Sequence, residues 1–341
     1  MGKNQETNPS IGKTHFMKIR TAYGTKPVVP FLIICLLGVL QLNQICHAQT
    51  LFPANVHRVL FLGNSITYAG TYVTNIEAYY RLQYPNQSIE FINVGLPSET
   101  VSGLSEDGHA DGKFPRPDLH ERLERVLKLT KPDFVFACYG MNDGIYLPLD
   151  ETRFQKFKDG MNWLHAEVVK LGVPIVHLTP PIYDEQRGNS KGYAAVLDRY
   201  SDWLLEQKTV AKWSVIDLHY PMKTYLEAHR KVDAAFGING FALATDGVHP
   251  GEVGHWIMAK SILLGMGDKA VASAPDLAAS VESIPNAAQV IKLVAARQSL
   301  MKDAWLTATG HKRPGMNVGL PLAEAQTNAA ELDAQIRKLL P

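Results

Sequence analysis

Residues 57–67 read HRVLFLGNSIT. Val59-Leu60-Phe61-Leu62 is continuously apolar, and Gly63-Asn64-Ser65 follows at once. An unbroken apolar run of this length suits a strand buried on both faces, since a half-exposed strand would alternate. The small residues after it suit a tight turn leading into a helix. Further apolar runs at 88–94, 133–139, 173–178 and 213–218 are separated by amphipathic stretches near 71–84, 118–130, 152–171, 192–208 and 251–266. Gly172-Val173-Pro174 marks a helix stop before one of the strands. The alternation predicts repeated βα units, hence an α/β fold with a five-stranded parallel sheet between helical layers.

Composition narrows the class further. The chain has 341 residues, 46% hydrophobic and 20% charged, long enough to bury a large core and too apolar for a disordered chain. Lys plus Arg number 34 against 33 Asp plus Glu, so nothing suggests the basic surplus of a nucleic-acid partner.

The N-terminal 48 residues read as an export signal. Lys13, Lys18, Arg20 and Lys26 precede a 13-residue apolar run at 28–40, and Cys46-His47-Ala48 supplies a small-residue cleavage site. The run is short for a bilayer span. Cleavage after Ala48 is expected, with no stable membrane insertion afterwards and a secreted or periplasmic protein as the product. An uncleaved anchor and a lipidated Cys46 fit less well, because Asn43-Gln44-Ile45 lacks the small residues expected before a lipidated Cys. Met17 offers an alternative start. Removing residues 1–48 takes five basic residues and one acidic, so the mature chain carries about −3 and Cys138 as its single cysteine. Cys138 lies inside an apolar strand pattern, which predicts a buried, inert thiol.

The expected domains are a signal peptide at 1–48, a main α/β domain at 49–268 and a C-terminal helical extension at 269–341. Two segments break the βα rhythm. Residues 102–117, SGLSEDGHADGKFPRP, predict a long polar loop of the kind that lines a functional site. After Asp268 the chain turns Ala-rich, with amphipathic helices expected near 284–308 and 321–340 around a polar turn at 309–319.

In an open parallel sheet ligands bind beyond the carboxyl ends of the strands. The residues at those ends are Gly63-Asn64-Ser65-Ile66-Thr67, Gly95 and Gly140-Met141-Asn142-Asp143, with Asp246-Gly247-Val248-His249-Pro250 before the last core helix. Each alone is weak: a Ser after a strand is usually a helix cap, Asp-x-x-His is common in loops, and Asn-Asp is a frequent turn. Their order and their places at successive strand ends carry the signal.

With FLGNSIT, NVG, YGMND and DGVHP in this order over residues 57–255, the chain resembles the SGNH (GDSL-like) hydrolases. One departure is Asn64, where the family commonly has Asp. The resemblance implies a three-layer α/β/α, flavodoxin-like fold and an esterase. It makes Ser65 the nucleophile, His249 the base and Asp246 its orienting carboxylate, and it builds the oxyanion hole from the Ser65 and Gly95 N–H groups and the Asn142 side-chain amide. Elementary chemistry assigns the same roles. A serine hydroxyl needs an adjacent base, imidazole titrates near neutrality, and a carboxylate three residues away can fix its tautomer.

Other candidates fit less well. Gly188-Asn189-Ser190-Lys191-Gly192 has the G-x-S-x-G spacing but follows a polar segment instead of a strand. His177, His219 and His255 read as packed histidines, and Asp143 as structural. No H-E-x-x-H, C-x-x-C or P-loop pattern occurs, so no metal and no cofactor is expected.

Export and the polar 102–117 loop point to an acylated carbohydrate or another small ester as the partner, with acetyl the simplest leaving acyl group. The alternatives are a lipid-directed esterase or lysophospholipase, and a glycan-binding module whose catalysis has decayed. Lys312 and Arg313 in the tail turn either lie in solvent or reach the rim of the site.

Overall fold

A computed structural model describes residues 51–238 and 240–341. The expected signal segment lies outside them. Five strands, β1 (Arg58–Gly63), β2 (Glu90–Asn93), β3 (Phe134–Cys138), β4 (Ile175–Leu178) and β5 (Ser214–Ile216), form one sheet in the order β2-β1-β3-β4-β5. Every pairing is parallel. Strands β1 and β3 run in register from Val59↔Phe134 to Gly63↔Cys138, so the residues leaving both strands emerge at one level. The topological switch of this strand order lies between them, and a crevice opens there beyond their carboxyl ends.

The strands are apolar because both faces are covered; every residue of β3 is buried. Phe52, Phe61, Phe91, Phe134 and Phe136 interlock within the core, with Phe61 and Phe136 stacked at 5.1 Å. The covering helices are α1 (Ser65–Ala69), α2 (Thr71–Gln83), α3 (Leu123–Thr130), α4 (Glu151–Val169), α5 (Tyr193–Val210), α6 (His219–Ala235) and α7 (Glu252–Gly265). Asp150 caps α4 through the Arg153 amide at 2.9 Å.

Two elements differ from expectation. The stretch 118–130 is not one helix: a 3-10 turn at Leu119–Glu121 precedes α3, and Arg122 between them leaves helical geometry and turns its guanidinium onto buried Glu99. Helix α6 stands where no helix is expected. It buries only His219, Met222 and Leu226, too little to print an apolar stripe on the sequence. It starts at His219, so Asp217 and His219 both follow β5.

The C-terminal extension is helical, as expected: α8 (Leu277–Ser280), α9 (Ala287–Thr309) and α10 (Leu322–Leu339). Helix α9 begins at Ala287 because Pro285 and the left-handed Asn286 (φ 61°) block an earlier start. It packs on α2 and on edge strand β2, and α10 packs on α9. The contact is polar as well as apolar. The Gln298 side-chain amide donates to the Phe91 carbonyl at 2.9 Å and to buried Glu77, and Arg297 and Arg81 share Asp333 at 2.9 and 3.0 Å.

Candidate active site

Ser65 opens α1 directly after β1. Asn64 takes the capping position, its Oδ1 accepting the Ile66 amide at 3.1 Å, so the hydroxyl of Ser65 is left free of capping duty. Aspartate could cap as well, but asparagine does it without a charge beside the nucleophile. Gly63 permits the close turn: a Cβ there would lie 2.2 Å from the Thr67 hydroxyl.

The Ser65 Oγ lies 2.8 Å from His249 Nε2. The other ring nitrogen, Nδ1, is 2.6 Å from Asp246 Oδ2. An ionised carboxylate only accepts, so Nδ1 carries the proton and Nε2 presents its lone pair to the serine hydroxyl. Asp246 is itself oriented, its Oδ1 accepting the amides of Val248 and His249, each at 2.8 Å. Burial pushes the Asp246 carboxyl upward, but the hydrogen bonds from the His249 ring and from both amides outweigh it and hold the group below the usual carboxylate range. The His249 and Asp246 side chains are half-exposed, at 50% and 53%.

Gly95 and Asn142 follow β2 and β3. At the first turn of α1 the Ser65 amide has no intrahelical acceptor. The Asn142 side chain is held at both ends, its Nδ2 donating to the Glu99 carbonyl at 3.1 Å and its Oδ1 accepting from the Tyr146 hydroxyl at 3.2 Å. One Nδ2 hydrogen remains for a ligand. The Gly95 amide differs from expectation: it donates to Asn93 Oδ1 at 2.9 Å. It can serve an oxyanion only by sharing that hydrogen or by leaving Asn93. Gly95 also sits where a Cβ would meet the Tyr68 amide at 2.4 Å, so this glycine lets β2 and α1 approach.

Sequence reasoning missed the frame beneath these groups. Buried Glu99 binds Arg122 through two contacts of 2.6 and 2.8 Å and accepts from the Tyr139 hydroxyl at 2.7 Å. Arg122 also donates to the Val94 carbonyl at 2.8 Å, so one buried ion pair ties the ends of β2 and β3 together. A buried Glu–Arg pair leaves no periodic trace in a sequence. Tyr146, stacked on Tyr193 at 4.8 Å and carrying the Arg116 guanidinium 5.2 Å from its ring centroid, was equally hidden.

Asp143 accepts the amides of Gly140, Val101 and Ser102 at 2.8, 2.8 and 2.9 Å, which is a structural part. His255 stacks on Tyr72, and burial followed by the nearby His249 charge depresses it to about 4. His177 sits in β4 between His165 and Trp213, depressed by burial and by His165 to about 3. His219 contacts Asp198 at 2.7 Å. Ser190 lies in a loop, its amide donating to the Tyr183 hydroxyl at 2.7 Å. Cys138 is buried, and that burial raises its thiol to about 12. Among the described residues no group of three or more His, Cys, Asp and Glu is placed to hold a metal ion. A cavity of about 1040 Å³ lies at the opposite end of the sheet, near His120, Trp163 and Pro174, away from all of these residues.

The extension reaches α1. The Lys302 ammonium sits 3.9 Å from the Tyr68 ring centroid, and the Tyr68 hydroxyl donates to Asp303 at 3.4 Å. Arg313 packs on Phe114 of the 102–117 loop, 5.3 Å from its ring centroid. The tail turn therefore lies against the loop.

A family model, that of the GDSL-like Lipase/Acylhydrolase family, matches residues 61–257. No curated protein matches the chain. Among solved structures, a gut microbial diltiazem-metabolizing enzyme is 24% identical over 64% of this chain, with a TM-score of 0.50. The match spans about half, 49%, of that longer protein. A catalytic mutant of an acetylxylan esterase from Geobacillus stearothermophilus is 23% identical over 62% of this chain and 94% of its own, with a TM-score of 0.48. At 24% identity the likeness to the first of these is one of fold alone. The family match covers more than half of the chain, from within β1 into the first half of α7, and with the parallel 2-1-3-4-5 sheet it makes the chain a member of the GDSL-like lipase/acylhydrolase family.

Proposed function

We propose that this protein is an exported ester hydrolase that removes short acyl groups, acetyl above all, from carbohydrate by a Ser-His-Asp mechanism. The single observation that carries this is the relay from Ser65 Oγ through both nitrogens of His249 to Asp246, at 2.8 and 2.6 Å.

The chemistry runs as two acyl transfers. Ser65 Oγ attacks the ester carbonyl carbon while His249 Nε2 takes the hydroxyl proton, and Asp246 stabilises the resulting imidazolium. The carbonyl oxygen becomes an oxyanion, met by the Ser65 amide, the Asn142 Nδ2–H and the Gly95 amide as it turns from Asn93. Collapse expels the sugar hydroxyl, which receives the proton from Nε2 and leaves an acyl group on Ser65. Water then attacks the acyl carbonyl with His249 again as base, and the carboxylic acid departs.

The substrate class rests on surroundings. His249 and Asp246 are half-exposed, and the loop beside the site offers Glu106, His109 and Arg116 instead of an apolar trough. Such a rim suits sugar hydroxyls better than a long acyl chain. Export rests on residues 13–48, and N-terminal sequencing of the exported protein should begin at Gln49.

Acyl chain length tests the reading. Hydrolysis of p-nitrophenyl acetate should exceed that of p-nitrophenyl octanoate, and acetate should be released from an acetylated xylo-oligosaccharide. A preference for octanoate would move the substrate class to lipids.

A further inference from the structure

Between the 102–117 loop, the turn before α3 and the tail lies a second cavity of about 360 Å³. Leu96 forms part of its wall, next in sequence to Gly95; four cations, Arg116, Arg122, Lys312 and Arg313, line it together with Phe114 and two carboxylates, Asp118 and Glu121. Arg116 reaches from this cavity over Tyr146, whose hydroxyl holds Asn142. The cavity therefore adjoins the groups assigned to the oxyanion.

Its charges are unequally satisfied. Arg116 pairs with Glu106 at 2.6 Å, Arg122 with Glu99 at 2.6 Å, and Lys312 with Glu121 at 3.6 Å. Arg313 has no carboxylate partner among the described residues. Its Nη1 meets only the Pro314 carbonyl at 3.0 Å and the Met316 sulfur at 3.2 Å, and its Nε is buried without a partner. Arg122 is 1% exposed, yet its Nη1 is also buried and unpartnered. Buried charged donors without acceptors are costly, and such groups are normally satisfied by a ligand or by water.

We propose that this cavity is a subsite for a carboxylate carried by the substrate, with Arg313 as its anchor. The chemical class is an acylated, uronate-bearing carbohydrate, a reading that rests on the deacetylase function above and narrows it. A guanidinium fork matches a carboxylate in two parallel hydrogen bonds, which a neutral sugar hydroxyl cannot reproduce. Arg313 lies outside the family match at 61–257, so the extension would supply the selectivity while the common fold supplies the chemistry. The Phe114 ring, 5.3 Å from the Arg313 guanidinium carbon, holds the fork at the rim.

The test compares an acetylated galacturonate oligomer with the same oligomer after its carboxylates are converted to amides. The readout is the ratio of the two kcat/KM values within each enzyme, so a general loss of activity cancels. Wild type should favour the acid by about tenfold, the size of one charge-assisted hydrogen-bonded contact. Arg313→Gln should bring the ratio close to one through a higher KM for the acid, and Arg313→Lys should restore part of it. Arg313→Met puts an unbranched apolar side chain beside Phe114 and serves if the glutamine variant folds poorly. A wild-type ratio near one, or a ratio that survives loss of the guanidinium, overturns the proposal. Binding of the unacetylated galacturonate oligomer, measured calorimetrically, needs no turnover. If neither ester is cleaved but this oligomer binds wild type and loses about tenfold in Arg313→Gln, the deacetylase reading fails and the carboxylate site stands. No binding preference over the amidated oligomer overturns the site itself.

Discussion

At the scale of single residues, the site depends on side chains held from two sides. Asn142 is fixed by Glu99 and Tyr146, so its free hydrogen has a defined direction. Asn142→Ala is expected to lower kcat by ~10²–10³, the usual effect of removing one oxyanion donor. Steady-state kinetics with p-nitrophenyl acetate check it, and a fall in kcat below about threefold would remove Asn142 from that role. The residues legible in the sequence were those whose position at a strand end is forced by topology: Ser65, Gly95, Asn142, and the Asp246–His249 pair. Arg122, Glu99 and Tyr146 were not legible, because they meet across long sequence separations that no local pattern records. The Gly95 amide was legible as a donor, but its bond to Asn93 follows from a side-chain rotamer and could not be read.

Among the elements, close backbone approaches decide how the strand-end loops are held. Gly160 lies in the middle of α4, where alanine would ordinarily favour the helix by about 1 kcal/mol. A Cβ at this position would stand 2.1 Å from the Val101 carbonyl oxygen and 2.7 Å from its carbon. The 101–102 segment cannot retreat freely, because Asp143 holds both of its amides. Gly160→Ala is therefore expected to destabilise the protein by about 1–3 kcal/mol, opposite in sign to helix propensity. Urea unfolding decides the matter: a rise in midpoint would show that the packing argument is wrong. The buried strands and the helices that face them were legible because their apolar runs are long. Helix α6 was not, since its three buried residues leave most of its surface to solvent. The stretch before α3 reads as helix from its local pattern, whereas the break at Arg122 goes with its contact to distant Glu99, which no local pattern records.

Over the whole molecule, the extension and the hydrolase core form one compact unit, and the buried histidines set its acid limit. His255 and His177 stay neutral in the folded chain, depressed to about 4 and about 3, chiefly by burial. An unfolded chain binds protons at these histidines below about pH 6.5. Their effect is thus absent above that pH, and stability falls progressively between pH 6.5 and 4 as the unfolded state gains protons. Between pH 7.5 and 5 each histidine is expected to cost about 2 kcal/mol. His255→Phe keeps a ring against Tyr72 and removes that titration, so its loss of stability over the same interval should be smaller by about 2 kcal/mol. Equal losses in both proteins would contradict the assignment. The existence of the tail helices was legible from their periodicity, whereas their docking on β2 and the reach of Arg313 to Phe114 depend on three-dimensional complementarity. The claim on which the account turns is that this molecule works through an acyl-enzyme on Ser65. Its most direct measurement is p-nitrophenyl acetate hydrolysis, with fluorophosphonate labelling followed by intact mass, for wild type beside Ser65→Ala. The account expects wild type to turn over the ester and gain one label, and the variant to gain none and lose on the order of 10⁶-fold in rate. A variant that keeps more than about a tenth of the activity, or takes up the label as wild type does, would contradict it.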